Sequence, residues 1–456
     1  MKENWKENKN FYFVIFATMV AQAIRYFPFK FGGWNQIMLS FSYRYGFIQR
    51  AFLGTILDVI STVCHIPWGY MRYIYGIFTV SFYTIIYFYI IYKALENEKN
   101  ADVKFFFKGL VLAFFMGPGW VANYSNFALT DVWIEMCSLF AVYLLAKNKH
   151  VWLSVVVCCI GVLIYPAYVF TYWNLVLAFL LYQAFVMPKK KHGIKRLLLL
   201  LVNLLCVGSL FVYVQFYAHV KEGIYLDYVI ERTAEFVDKP VEEVASNHGG
   251  TITSFIFKDM PISGEIDSSE EIVSTDDEGM TTNVEVLETN TDANSNSLFS
   301  IVKRVFTSWH FYIYEYGLLL VAMAILFAPF FYEIYKYWRL IVRYAKENGT
   351  KLYWVYGVLP CGALTVFPCY LLLNDYGRYT NGAFMYEFAI IWLLNWIHDE
   401  NAVHATKEYV RSIRSNRYYY VFLLCYAAIN GTFHQNVINE LVSTVETYLW
   451  KVIELF

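Results

Sequence analysis

Apolar residues run along this chain in stretches of 15 to 26 residues, broken by short polar turns and by one long polar interruption. Stretches of that length suit helices that cross a hydrocarbon layer about 30 Å thick. They place spans at 11–27, 73–93, 105–121, 131–147, 151–165, 167–186, 197–217, 308–333, 353–373, 380–397 and 418–433. The predicted fold is therefore all-α, a polytopic membrane helix bundle of about 11 spans. Residues 1–217 form an N-terminal bundle of about seven spans, with a re-entrant or interfacial segment at 28–72. Residues 218–307 form one large extracytoplasmic loop, 308–433 a C-terminal bundle of about four spans, and 434–456 an amphipathic helix.

The loop opens on an amphipathic stretch in which Ile224, Tyr225, Tyr228, Val229, Arg232, Phe236 and Val237 recur at helical spacing. It then loses periodicity. Between Asp259 and Ser300 lie eleven acidic residues and no Lys, Arg or His, the composition of a solvated, disordered linker. The tail places Ile438, Leu441, Val442, Val445, Tyr448, Leu449, Val452 and Phe456 on one helical face, as in a helix lying on a membrane surface.

Composition agrees with this division: 58% of residues are hydrophobic and only 16% charged, outside the range of soluble globular domains. The basic residues sit in short loops and form no extended patch, so nucleic-acid binding is set aside. Three basic loops orient the spans: Lys189, Lys190, Lys191, Lys195 and Arg196; Lys336, Arg339, Arg343 and Lys346; and Lys407, Arg411, Arg414 and Arg417. By the positive-inside tendency these are cytoplasmic, and the N-terminus with them. The N-terminal polar stretch runs into the first span without a small-residue cleavage site, so that span is expected to act as the targeting signal. The eight cysteines lack zinc-site spacing and are read as small core residues. No metal and no cofactor is expected.

Three groups of residues bear on chemistry, all assigned to the outer side. In the first outer segment Arg44 and Arg50 stand with Lys30 and Arg72 against a single acid, Asp58, in a region where cations are normally sparse. The guanidinium fork matches phosphate oxygens. Arg50, Gly54 and Asp58 share a face if the segment is helical. The alternative is that Arg44 and Arg50 reach to lipid headgroups among aromatics.

Asp131 and Glu135, four residues apart at the outer end of a span, form the second group. Intramembrane carboxylates mark sites or ion pairs, and such a pair can supply a general base. Asp131 also fits a helix-start carboxylate favoured by the macrodipole.

The third group is the turn Asn374 to Gly382, in which Asp375 and Arg378 either pair with each other or hold a sugar hydroxyl and a phosphate. His310 and Glu315 add an acid or base at the head of the span after the large loop. No nucleotide-binding signature is present, so an enzyme here draws on a membrane-borne donor.

At these motifs the chain resembles the multi-span proteins of bacterial surface-polysaccharide gene clusters: lipid-linked repeat-unit polymerases and GT-C-type glycosyltransferases. The similarity rests on the tyrosine-rich segment with Gly46, Phe47, Arg50 and Gly54, on Asp131 at the start of a mid-chain span, and on the turn Asp375 to Arg378. It implies an outward-facing site for a polyprenyl-phosphate- or polyprenyl-pyrophosphate-linked sugar. Arg44, Arg50, Arg378 and His310 would bind substrate, and Asp131, Glu135 and Asp375 would be catalytic. The chain departs from the GT-C pattern in having no acidic residue before Asp58 in its first outer loop and no acidic pair there. Two other classes stay open: a transporter or flippase using the same charges, and a non-enzymatic scaffold presenting the acidic loop.

Overall fold

Apolar runs of this length satisfy their backbone hydrogen bonds internally only as helices, and the computed structural model is helical throughout the residues it describes, with no strand among them. Those residues are 2–25, 33–116, 130–187, 190–218, 224–246, 309–372 and 376–432. The acidic stretch 259–300, the tail 434–456 and Asp375 lie outside them.

In chain order the helices are α1 (Lys2–Arg25), α2 (Gly33–Ser40), α3 (Phe52–Cys64), α4 (Met71–Asn97), α5 (Ala101–Met116) and α6 (Asp131–Lys147). Then come α7 (Leu153–Ile164), α8 (Tyr168–Thr171), α9 (Trp173–Phe185), α10 (Lys190–Tyr217) and α11 (Ile224–Val237). The last are α12 (Trp309–Glu347), α13 (Trp354–Val358), α14 (Phe367–Leu372), α15 (Tyr376–Trp396), α16 (Glu400–Ser415) and α17 (Arg417–Thr432).

Among the described residues, two helices are long and apolar enough to cross a membrane, Trp68–Asn97 and Gly193–Tyr217; four shorter ones, Phe52–Cys64, Leu153–Ile164, Trp173–Phe185 and Trp354–Cys369, are also apolar. Along α10 the side chains of Ile194, Leu198, Leu201 and Leu205 are exposed. A continuous apolar face of this kind suits a hydrocarbon surrounding better than water.

Three segments differ from the expected spans. The stretch expected at 353–373 is broken into α13, a 3₁₀ helix at Leu359–Val366 and α14. Pro360 lacks an amide hydrogen, and Gly362 lies so close to the Tyr386 ring that no Cβ fits there. Conversely, α12 continues for 39 residues through Pro329 to Glu347, carrying the basic run beyond the apolar one. The third basic loop is itself the amphipathic α16, N-capped by Asp399, whose side chain accepts from the Ala402 amide at 2.8 Å.

Polar ties gather at each end of the bundle. At one, Arg196 of α10 donates to Asn148 Oδ1 (2.8 Å), at the C-cap of α6. Arg414 of α16 meets Asp102 of α5 (2.8 Å), and Arg343 of α12 pairs with Glu408 of α16. There, too, the Tyr182 and Tyr356 hydroxyls both donate to Asp399 Oδ2 at 2.6 Å, and Asn348 donates to Asn401 (2.8 Å). This is the basic end. The segments tied at the other end are 37–72, 130–133, 165–171 and 226–244. Between the ends packs a core rich in aromatics, with Phe107 stacked on Trp392 at 4.2 Å and Phe106 on Tyr337 at 5.1 Å.

Candidate functional site

Short helices and tight turns, rather than one re-entrant helix, build the segment after α1. Ser42 caps a 3₁₀ turn at Tyr43–Tyr45 by accepting from the Arg44 amide at 3.3 Å. The Tyr43 amide donates to Thr55 Oγ1 (2.8 Å), folding the turn onto α3. Gly54 lets α3 lie directly on the backbone of Leu39 and Phe41: a Cβ there would collide with both carbonyl oxygens.

One ion pair locks this segment to the large loop. Asp58 of α3 accepts from the Ser42 hydroxyl (3.0 Å) and pairs with Arg232 of α11; the two side chains are only 10% and 13% exposed. The Arg232 guanidinium lies 3.9 Å over the Trp68 ring and 5.0 Å from that of Tyr228, whose hydroxyl accepts from its Nε (2.9 Å). The Trp68 indole in turn donates to the Arg232 carbonyl at 2.9 Å. Arg72, at the start of α4, reaches the Phe236 carbonyl (3.4 Å) and Tyr73 Oη (2.8 Å). Charge, cation–π contact and main-chain hydrogen bonds thus hold α11 onto α3 and α4. Its other acids, Asp227, Glu231 and Glu235, lie on the exposed side.

Arg44 and Arg50 stand on this frame. Arg44 is exposed, its guanidinium 5.9 Å from the Tyr228 ring. Arg50 is half-buried, 4.7 Å over the Tyr165 ring, and its backbone is left-handed at φ 66°. That conformation is costly for a residue with a Cβ, by roughly 1–2 kcal/mol, and such strain gathers at functional sites. Arg50 precedes α3, so only Gly54 and Asp58 of the expected trio share its buried face. Beside Arg44, the Tyr43 hydroxyl is buried with no hydrogen-bond partner among the described residues, and burial pushes its pKa well above the usual tyrosine value. It is a neutral donor.

Asp131 and Glu135 take their expected places on α6, the first as its opening residue and half-exposed, the second one turn deeper and 1% exposed. Two residues beyond Asp131, the Trp133 indole donates to Tyr75 Oη (3.1 Å) and stacks on Phe78 and Phe82, fixing the head of α6 to α4 one turn below Arg72. So Arg44, Arg50 and Asp131 share one end of the bundle.

Arg378 lies in the first turn of α15 and His310 in the first turn of α12. The start of α15 packs by Gly382 against Thr171 at this same end. Glu387, near the middle of α15, accepts from the Trp338 indole at 2.8 Å. Among the described residues no group of three or more His, Cys, Asp or Glu could hold a metal ion.

Sequence reasoning named Asp58 and Arg232 separately and missed that they pair across 174 positions. The available signal was the lone acid in a basic segment and the lone arginine on the amphipathic stretch. No family model, curated protein or solved structure matches this chain.

Proposed function

We propose that the protein is a multi-pass membrane enzyme of glycan assembly, with its N-terminus in the cytoplasm, that transfers or polymerises polyprenyl-linked sugars at the extracytoplasmic face. One observation carries this reading: Arg50 is held in a strained backbone conformation over the Tyr165 ring, in the same turn-rich segment as Arg44 and the buried hydroxyl of Tyr43. Strain maintained by a surrounding lock suits a side chain whose position matters more than local stability. Arg44, Arg50 and Arg378 neutralise the phosphate or pyrophosphate leaving group as charge develops on it. Asp131, Glu135 and Asp375 orient the acceptor hydroxyl or take its proton, and His310 binds substrate.

The test is surface glycan made by cells carrying Arg50→Ala or Arg378→Ala. Loss of polymer at unchanged protein level is expected, and normal polymer from both variants removes the assignment. Deleting 259–300 separates the enzyme from a scaffold that presents the acidic loop, since the enzyme retains activity without it.

A second reading, a transporter or flippase for a lipid-linked solute, draws on buried polar groups beyond the outer third: Glu333, Glu387, Asn395 and Thr406. Movement of a lipid-linked sugar across vesicles containing the purified protein, without glycan synthesis, would favour it.

A further inference from the structure

At the opposite, basic end the helices α4, α5, α6 and α15 enclose a cavity of about 390 Å³. Its walls are aliphatic and aromatic, with Leu110, Phe114, Leu139, Met385 and Trp392 along its length, and its lining contains two lysines and no carboxylate. Both lysines sit at one mouth. Lys93 lies four residues before the end of α4, and Lys147 and Trp396 are the last residues of α6 and α15. The lining of α15 runs from Met385 to Trp396, twelve residues whose ends lie about 16 Å apart along the helix, close to half the thickness of a hydrocarbon layer. That is the depth of one leaflet.

We infer that this cavity binds one acyl chain of an anionic glycerophospholipid from the leaflet beside the basic loops, with the lipid phosphate held between Lys93 and Lys147. Charge complementarity selects the occupant. An apolar peptide would fill the walls equally well but would give the lysines nothing to meet. Lys147 rests 4.8 Å over the Trp396 ring, which Tyr143 stacks against, so its ammonium is held at the rim rather than extended into water. Lys93 pairs with Glu96 at 2.7 Å, and the three groups together carry one net positive charge, suited to a phosphodiester. The neighbouring basic residues on α10, α12 and α16 add attraction of the same sign. This assignment is independent of the enzymatic reading, whose residues lie at the other end.

Delipidated protein in detergent is titrated with phosphatidylglycerol or phosphatidylcholine of identical chains, and bound lipid is counted by native mass spectrometry. The wild type is expected to bind one phosphatidylglycerol at least 10-fold more tightly than phosphatidylcholine, and Lys93→Gln/Lys147→Gln to lose that preference. Equal affinities in the wild type, or a preference that survives in the double variant, overturns the headgroup assignment.

Phosphatidylglycerol with brominated chains then locates the chain by quenching tryptophan emission in the folded wild type. Trp392→Phe should remove part of the quenched emission. An unchanged quenched fraction overturns the cavity assignment, and places any phosphatidylglycerol on the outer surface or leaves the cavity to a segment of the protein itself.

Discussion

Replacing Asp58 with Asn removes one charge from a pair whose members are 10% and 13% exposed and leaves Arg232 ionised between Trp68 and Tyr228. Breaking a buried pair by neutralising one partner costs roughly 3–5 kcal/mol, because the surviving charge loses its counter-ion without regaining water. The guanidinium keeps its indole, a contact of roughly 1 kcal/mol, and Ser42 can still donate to the amide, so about 3 kcal/mol is the expected loss. The helix that feels it is α11, held to α3 and α4 by this lock. Arg232→Met should cost about as much, since it strands the carboxylate. Asp58→Asn/Arg232→Met should cost no more than either single change, a coupling of at least about 3 kcal/mol. Whole-protein melting does not single out the opening of α11. Hydrogen exchange of the Thr233 and Ala234 amides reads the local opening, and each single variant should speed it roughly 100-fold. Strictly additive effects, or exchange unchanged in Asp58→Asn, would show that the ion pair does not hold α11 in place.

Further outcomes follow from single positions. Gly54→Ala should cut the yield of folded protein sharply, because the added methyl meets the backbone oxygens of Leu39 and Phe41. Gly208→Ala, where nothing lies within 4 Å, should be neutral or stabilising by up to about 1 kcal/mol in melting experiments. Arg50→Gly should relieve a left-handed residue of roughly 1 kcal/mol of strain and leave melting within about a degree or two of the wild type, while abolishing glycan synthesis. A large fall in melting temperature with synthesis intact would make Arg50 a structural residue. For Glu408, the Tyr344 hydroxyl and then the Arg343 guanidinium hold the carboxyl below its usual range. A lowered folded value means the contribution is complete above the usual carboxylate pKa of about 4.3 and lost as pH falls through the folded one. The wild-type advantage over Glu408→Gln in thermal melting should therefore be present at pH 6, small because the pair is more than a third exposed, and should shrink as pH falls below the usual carboxylate range. An advantage independent of pH would refute the linkage.

What the sequence made legible was whatever depended on local periodicity. The apolar runs give α4 and α10, and the helical spacing of Tyr228, Val229, Arg232 and Phe236 gives α11 at its observed bounds. Misplaced boundaries trace to contacts between distant residues. The break at Leu359–Val366 depends on the Tyr386 ring lying against Gly362 and its hydroxyl donating to the Leu359 carbonyl. No window around 360 contains that ring. The same limit hid the Asp58–Arg232 lock, while the chemistry that made each residue conspicuous alone, one acid among bases and one arginine on an apolar face, was plain.

The depth of the acidic groups bears on the choice between enzyme and transporter, because a transport path needs polar groups able to change partners through the middle of the bundle. In the middle of the bundle, three of the buried polar groups that such a path would draw on have specific hydrogen-bond partners. Glu387 accepts from the Trp338 indole, and Glu333 from the Tyr409 hydroxyl at 2.6 Å. Asn395 donates to the Tyr337 hydroxyl (2.7 Å) and accepts from Thr406 (2.7 Å). Networks of neutral donors on carboxylates, packed among stacked rings, fix helices rather than free them. If they are fixing contacts, Trp338→Phe should loosen α12 against α15, measured as faster hydrogen exchange near Glu387, and leave glycan synthesis proportional to the amount of folded protein. A transporter that uses Glu387 should instead lose flux in that variant at full protein level, because the indole is the partner that orients the carboxyl on which the flux would depend.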